Sequence, residues 1–71
     1  MTFTETTEYY KEKYGVIAWI WEVGGVGEIV RGYSIQMPNE NKIIKEYDYP
    51  IAWEALTSEL VKTLKNMFPD G

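Results

Sequence analysis

The chain contains no cysteine and no histidine among its 71 residues. The missing cysteine excludes a disulfide, a thiolate zinc site and a thiol nucleophile. The missing histidine removes the commonest general base and the commonest metal ligand. Catalysis would have to use serine, threonine, tyrosine, lysine or carboxylate groups, and no nucleophile–base arrangement of these is visible. The sequence therefore predicts a protein that is not an enzyme and that has no cofactor and no metal.

Long hydrophobic runs are also absent, since no apolar segment reaches the roughly 20 residues that span a membrane. The opening segment MTFTETTEYYKEK is polar and lacks the positive start and apolar centre of a signal peptide. The net charge of −4 repels a phosphate backbone, which makes non-specific nucleic-acid binding unexpected. We therefore predict a cytoplasmic protein with no membrane partner.

The length leaves room for one domain, residues 1–71. A domain of this size buries only about 60% of its unfolded surface, and small domains often gain stability from disulfides, metals or a partner chain. Three Trp, six Tyr and two Phe supply side chains for dense packing or for association with another chain.

The most apolar and aromatic segment is YGVIAWIWEV, residues 14–23. Its β-branched and aromatic residues, followed by Gly24-Gly25, predict a buried strand over about 15–23. The glycine-rich segment 24–27 joins two strands, and no G-K-S/T follows it, so a hairpin turn is favoured over a phosphate-binding loop.

The remaining elements follow from turn residues and periodicity. Proline and asparagine predict a second turn at 38–41. The last helix has an apolar stripe at 3–4 spacing, preceded by Pro50; the stripe comprises Trp53, Leu56, Leu60, Leu64 and Met67, widened by Val61 and Phe68. The expected elements are a helix at about 4–13, strands at about 15–23, 28–37 and 42–49, and a helix at about 51–67. The predicted fold class is α+β, a three-stranded antiparallel β-meander with the C-terminal amphipathic helix on one face.

The N-terminal segment allows two interpretations. Thr2 and Glu5 have capping-box spacing, and Gly15 suits a left-handed helix end, so we predict a short helix. The threonines and the adjacent tyrosines favour extended structure instead, and fraying or disorder is a further alternative.

The strand register decides which residues share a face. We predict that Val23 lies opposite Glu28 and that Met37 lies opposite Lys42. The face under the helix would then contain Val16, Ala18, Ile20, Ile29, Tyr33, Ile35 and Ile44. The second face would contain Ile17, Trp19, Trp21, Val30, Gly32, Ser34, Ile43, Lys45 and Tyr47, with Trp19 over Gly32. A one-residue slip in either hairpin exchanges these sets.

The first strand is apolar on both faces, unlike an antiparallel strand with one solvated face. Because the C-terminal helix covers only one face, the second must be covered by the N-terminal segment, by another copy or by a partner. We predict partner binding through Ile17, Trp19, Trp21, Lys45 and Tyr47 and through the edge of the first strand.

Several charged residues invite a chemical interpretation. Glu46 and Asp48 alternate on one strand and, with Glu22 or Glu28, suggest a hard-metal site or an acid/base pair. Without further ligands, a solvated strand edge is the favoured alternative. Arg31, in an apolar strand, is expected to reach the rim or to pair with a carboxylate.

The α-β-β-β-α layout resembles that of double-stranded-RNA-binding domains. Such domains have a lysine-rich start to the second helix, where this chain reads Pro50-Ile51-Ala52-Trp53-Glu54, a departure that argues against RNA binding. The passage Trp53-Glu54-Ala55-Leu56 after a strand is also loosely similar to HicB-like antitoxins, over about fifty residues. Neither resemblance carries functional residues across.

Three functional hypotheses follow. The favoured one is a non-enzymatic protein–protein interaction module, a homodimeric small acidic regulator or inhibitor of phage or mobile-element type. The second is nucleic-acid binding on the aromatic sheet, where Lys45 would be the only cation. The third is an acidic nucleic-acid mimic that presents Glu5, Glu8 and Glu12.

Overall fold

The computed structural model describes residues 2–69 as a three-stranded antiparallel sheet with two helices. The elements are α1 (Phe3–Tyr14), β1 (Ile17–Gly25), β2 (Glu28–Gln36), β3 (Lys42–Tyr47) and α2 (Trp53–Met67). The strand order is β1-β2-β3, so β1 and β3 form the two edges of this sheet. The predicted α-β-β-β-α order is confirmed.

Helix α1 begins and ends as its sequence predicts. The Glu5 backbone N–H donates to Thr2 Oγ1 at 3.1 Å, and the Thr2 N–H donates to Glu5 Oε1 at 3.0 Å. The bonds from Thr2 hold the pKa of Glu5 below its usual value. Gly15 ends the helix at φ 70°, a conformation that glycine adopts without steric cost.

The two turns differ in detail from the expectation. Gly24 and Gly25 belong to β1, and the tight turn consists of Val26 and Gly27 alone. Gly27 adopts φ 85°. In the second turn Glu40, and neither neighbouring asparagine, takes the left-handed conformation, at φ 73°.

The predicted register was wrong in both hairpins, with different consequences. Val23 lies opposite Val30, two residues beyond the predicted partner. An offset of two residues keeps every side chain on its predicted face. Lys42 lies opposite Gln36, one residue before the predicted partner. An offset of one residue moves all of β3 to the other face.

Helix α2 supplies three of the buried core residues found in residues 2–69, more than any other element. Its fully buried residues Leu56, Leu60 and Leu64 repeat every four positions, as the amphipathic pattern predicted. Trp53 departs from that stripe and remains 40% exposed, and Pro50 precedes the helix instead of opening it. The buried hydrophobic core consists of Tyr10, Val16, Tyr33, Ile35, Ile51, Leu56, Leu60 and Leu64.

Helix α1 packs on the same side of the sheet as α2. Tyr10 is buried, and its ring lies 6.0 Å from that of Phe68, which follows α2. Tyr14 stacks on Phe68 with ring centroids 4.3 Å apart. From β1, the residues that join this core are Ala18 and Ile20. The opposite side of the sheet is therefore covered by neither helix.

Arg31 connects the sheet to the start of α2. Its Nε donates to Glu22 Oε2 at 2.7 Å, and its Nη1 donates to the Ile51 carbonyl at 2.7 Å. The guanidinium carbon lies 4.5 Å from the centroid of the Trp53 ring. These contacts explain both an arginine in an apolar strand and the exposed position of Trp53.

We expect Arg31→Met to lower the free energy of unfolding by about 1–3 kcal/mol, because it removes two charge-assisted hydrogen bonds and a ring contact. Urea unfolding followed by circular dichroism measures the change. Lys45→Met is the control, since it also removes a strand cation but no hydrogen bond found in residues 2–69. Equal effects of the two substitutions would contradict this role.

Candidate protein-binding face

The outer face is the side of the sheet opposite the helices. Partners across a ladder point to the same side, so the register defines this face residue by residue. Its apolar members are Ile17, Trp19, Trp21, Val23, Val30 and Ile44, and its other members include Gly32, Ser34, Gln36, Lys42 and Glu46.

The two tryptophans form the centre of the outer face. Trp21 Nε1 donates to Ser34 Oγ at 3.0 Å. The Trp21 indole lies over Gly32, so closely that a Cβ at that position would sit 2.5 Å from Trp21 Cζ2. Trp19 lies opposite Ser34, and the Lys42 Nζ is 5.2 Å from its ring centroid. The prediction that Trp19 covers Gly32 was wrong, because of the two-residue offset.

The structure divides the five predicted partner-binding residues between the two faces. Ile17, Trp19 and Trp21 lie on the outer face, as predicted. Lys45 and Tyr47 point to the helix side, so their placement beside the tryptophans was wrong. The cause is the one-residue offset of β3, which reverses the direction of every side chain on that strand.

The surroundings of Tyr47 agree with this position. Its ring lies 6.4 Å from the core residue Tyr33, and the Lys45 Nζ is 5.5 Å from the Tyr47 centroid. Burial raises the pKa of Tyr47, with a smaller contribution from Tyr33. Tyr47 thus belongs to the margin of the core.

The sequence interpretation missed Lys42, Ile44 and Glu46 as members of the outer face. These residues alternate along β3, as do the ones that were predicted there. Only the geometry of the 38–41 turn distinguishes the two alternating sets. On the outer face, β3 therefore contributes Ile44 between Lys42 and Glu46, in place of the predicted Lys45 and Tyr47.

The outer face is accessible in spite of its composition. Exposed fractions are 50% for Ile17, 37% for Trp19, 62% for Val23 and 60% for Ile44. None of these side chains belongs to the core cluster or packs against it. Contiguous apolar surface of this kind marks interaction sites more often than scattered exposed residues do.

The two sheet edges differ in their protection. β3 carries Lys42, Lys45 and Glu46 within six residues, and charges of this kind discourage pairing with another strand. β1 is nine residues long and has a single charge, Glu22, and no proline. The β1 edge is therefore the more open of the two to a further strand.

Glu22 and Glu46, two carboxylates of the predicted metal site, lie on opposite sides of the sheet. Glu22 is paired with Arg31 on the helix side, whereas Glu46 lies on the outer face. Within residues 2–69, no group of three or more acidic side chains is placed to hold a metal ion. Glu5, the first residue of the predicted acidic surface, is engaged in the cap of α1.

A groove of about 800 Å³ separates α1 from α2. Phe3, Tyr9, Val61, Lys62 and Lys65 are among its lining residues. It contains none of the predicted partner-binding residues and lies on the side of the sheet opposite the tryptophans. The outer face thus remains the surface on which the predicted site is centred.

Neither helix in residues 2–69 combines the length and the hydropathy needed to cross a membrane. No protein-family model, no curated protein and no solved structure matches the chain. The two resemblances in layout therefore stay predictions.

Proposed function

We propose that the protein is a non-enzymatic protein–protein interaction module that forms a homodimer through the outer face, with the β1 edge at the margin of the contact. One observation carries this proposal. An accessible apolar face with two tryptophans lies opposite both helices. Tryptophan is among the residues that contribute most to binding at the centres of interfaces.

A second copy suits this face better than a strongly charged partner. The two ionised groups nearest its centre have opposite signs, Lys42 and Glu46, so neither sign dominates there. In the part of the chain that the structure describes, the buried core comprises only eight hydrophobic residues, and burial of the outer face adds apolar area to it. Association would also remove the exposed tryptophan surface from water.

We further propose that the dimer acts in the cytoplasm as a small acidic regulator or inhibitor, of the kind carried by phage or other mobile elements. The support is its size, its net charge of −4 and a cysteine-free sequence, which suits a reducing compartment. Self-association would use the outer face and leave the helices, with exposed Glu8 and Glu12, available to a target.

Nucleic-acid binding on the aromatic sheet has less support. Lys45, the cation expected beside the tryptophans, points to the helix side, and Lys42 is the one lysine of β3 on the outer face. A face with one lysine and two glutamates, Glu28 and Glu46, gives little attraction for phosphate. The acidic-mimic hypothesis is weakened as well, since Glu5 is held in the helix cap.

Light scattering on a sizing column tests the proposal. We expect a mass near twice 8.3 kDa. The double variant Trp19→Ala/Trp21→Ala should remain helical by circular dichroism but weaken self-association about 100-fold or more, as expected for loss of hot-spot residues. Trp53→Ala is a matched control, because Trp53 is 40% exposed and Trp19 37% but Trp53 lies off the outer face.

Two results would count against the proposal. One is a wild-type protein that stays monomeric at about 100 µM, well above a micromolar Kd. The other is a folded double variant that remains dimeric. Titration with single- and double-stranded oligonucleotides at low salt tests the nucleic-acid alternative. That alternative requires the protein to bind an oligonucleotide, with an affinity that falls as salt is added.

A further inference from the structure

The outer face of β3 has a charge pattern that is complementary to itself. Lys42, Ile44 and Glu46 alternate there, so a cation, an apolar residue and an anion follow one another. On β1 the residues Ile17 and Trp19 occupy the same face and carry no charge. Both members of this charged pair lie on β3, with Ile44 at their midpoint, whereas Glu28, the other acidic residue of the face, lies at the hairpin end of β2.

Two sheets that pack face to face lie about 10 Å apart, with their strands roughly aligned. A two-fold axis between them, at right angles to the strands, reverses the strand direction and places β3 on the partner's β3. When that axis passes by Ile44, Lys42 faces the partner's Glu46, and Glu46 faces the partner's Lys42. The two ion pairs then flank Ile44, at positions about 13 Å apart along the strand.

The same axis matches the apolar residues of β1. Trp19 lies in the same row of the sheet as Ser34 and Ile44. Trp19 therefore faces the partner's Trp19, and Ile17 faces the partner's Trp21. The interface centre is then apolar, and opposite charges meet near its rim, which is the usual anatomy of a protein interface.

The other symmetric arrangement fits the charges poorly. A two-fold axis parallel to the strands keeps the strand direction and places β3 on the partner's β1. Lys42 and Glu46 would then lie against apolar side chains with no counter-charge, and burial of unpaired charge is costly. The Lys42 ammonium already lies 5.2 Å from the Trp19 ring centroid, above the face that a second copy would cover.

We propose that the second copy stacks on the outer face with its strands antiparallel, about a two-fold axis beside Trp19 and Ile44, so that each Lys42 pairs with the partner's Glu46. This arrangement rests on the proposed function, since it specifies how the homodimer is built. It commits the outer face to a second copy in one orientation.

A charge-swap experiment tests this orientation. Lys42→Glu and Glu46→Lys each place like charges at both contacts, and each should raise the homodimer Kd on the order of fivefold to tenfold. In an equimolar mixture, both contacts of the heterodimer are attractive again. We expect its Kd to return to within about threefold of the wild-type value, measured by sedimentation at low salt.

Lys45→Glu is the control, because it reverses a charge on the same strand but on the helix side. It should leave the Kd unchanged. A dimeric wild type with single variants that do not weaken association, or with a mixture that does not recover, overturns this orientation and leaves the proposed function standing. A monomeric wild type overturns the proposed function itself.

Discussion

Leu60→Ala is expected to remove about 2–5 kcal/mol from the free energy of unfolding, because Leu60 has no exposed surface and truncation leaves a cavity in a well-packed core. At about 0.05–0.15 kcal/mol per residue, the whole chain has about 4–11 kcal/mol to lose. With both quantities at the middle of their ranges, the variant keeps about half of the wild-type stability. Urea unfolding at one fixed protein concentration, followed by circular dichroism, measures the loss.

Ile29→Ala is the matched control for this prediction. Ile29 is also a large aliphatic residue, but it is 52% exposed on β2. Its truncation removes less apolar contact, and we expect a loss below about 1 kcal/mol. A Leu60→Ala effect no larger than that of Ile29→Ala would show that the α2 stripe does not form the core in solution. The fixed concentration matters because the proposed association would stabilise the folded chain by mass action.

Helix α2 was predictable because its signal is local. Leu56, Leu60 and Leu64 repeat at the helical period, and that spacing alone identifies the buried side. Trp53 fits the same period, yet it lies outside the core. Its position depends on Arg31, a residue on β2 that reaches the start of the helix. The sequence spacing contains no information about that contact.

The register of β3 could not be deduced from its pattern. Ile43 and Ile44 are adjacent, so either face of the strand receives an isoleucine, and lysines at 42 and 45 likewise place one cation on each face. Hydrophobic alternation therefore does not select between the two registers. The selection comes from the second turn, in which Glu40 takes the left-handed conformation. Asparagine tolerates that conformation better than glutamate does.

The apolar character of both faces of β1 was predictable, whereas the position of α1 was not. A strand that is apolar on both sides requires two coverings, and β1 shows this in its sequence alone. The sequence left open whether α1 supplied the second covering. The side of the sheet on which α1 lies depends on the packing of Tyr10 and Tyr14 on Phe68. Phe68 lies more than fifty residues away along the chain. Local periodicity does not report contacts of that range.

Gly32→Ala is expected to destabilise the fold by about 1–3 kcal/mol or more, which is the usual cost of forcing an extra carbon into a filled site. The new Cβ would lie 2.5 Å from Trp21 Cζ2 and would also meet the carbonyl oxygen of Lys45 on the neighbouring strand. The indole can rotate away, but the carbonyl belongs to the β2–β3 ladder. The substitution should therefore disturb the sheet as well as the tryptophan. Urea unfolding and near-ultraviolet circular dichroism report these two effects separately.

Gly24→Ala is the control, because its nearest neighbour is an ordinary contact of 3.7 Å to the Glu28 carbonyl. A double variant, Gly32→Ala with Trp21→Ala, removes the clash with the indole and keeps the clash with the carbonyl. It should therefore recover only part of the stability that Gly32→Ala loses. Gly32→Ala without loss of stability would show that Trp21 does not lie over β2.

The same substitution also bears on the proposed self-association. An indole displaced by the added methyl group would stand away from the sheet and prevent a second copy from approaching the outer face. The proposed homodimer therefore predicts that a folded Gly32→Ala protein binds its own copy more weakly than Gly24→Ala does.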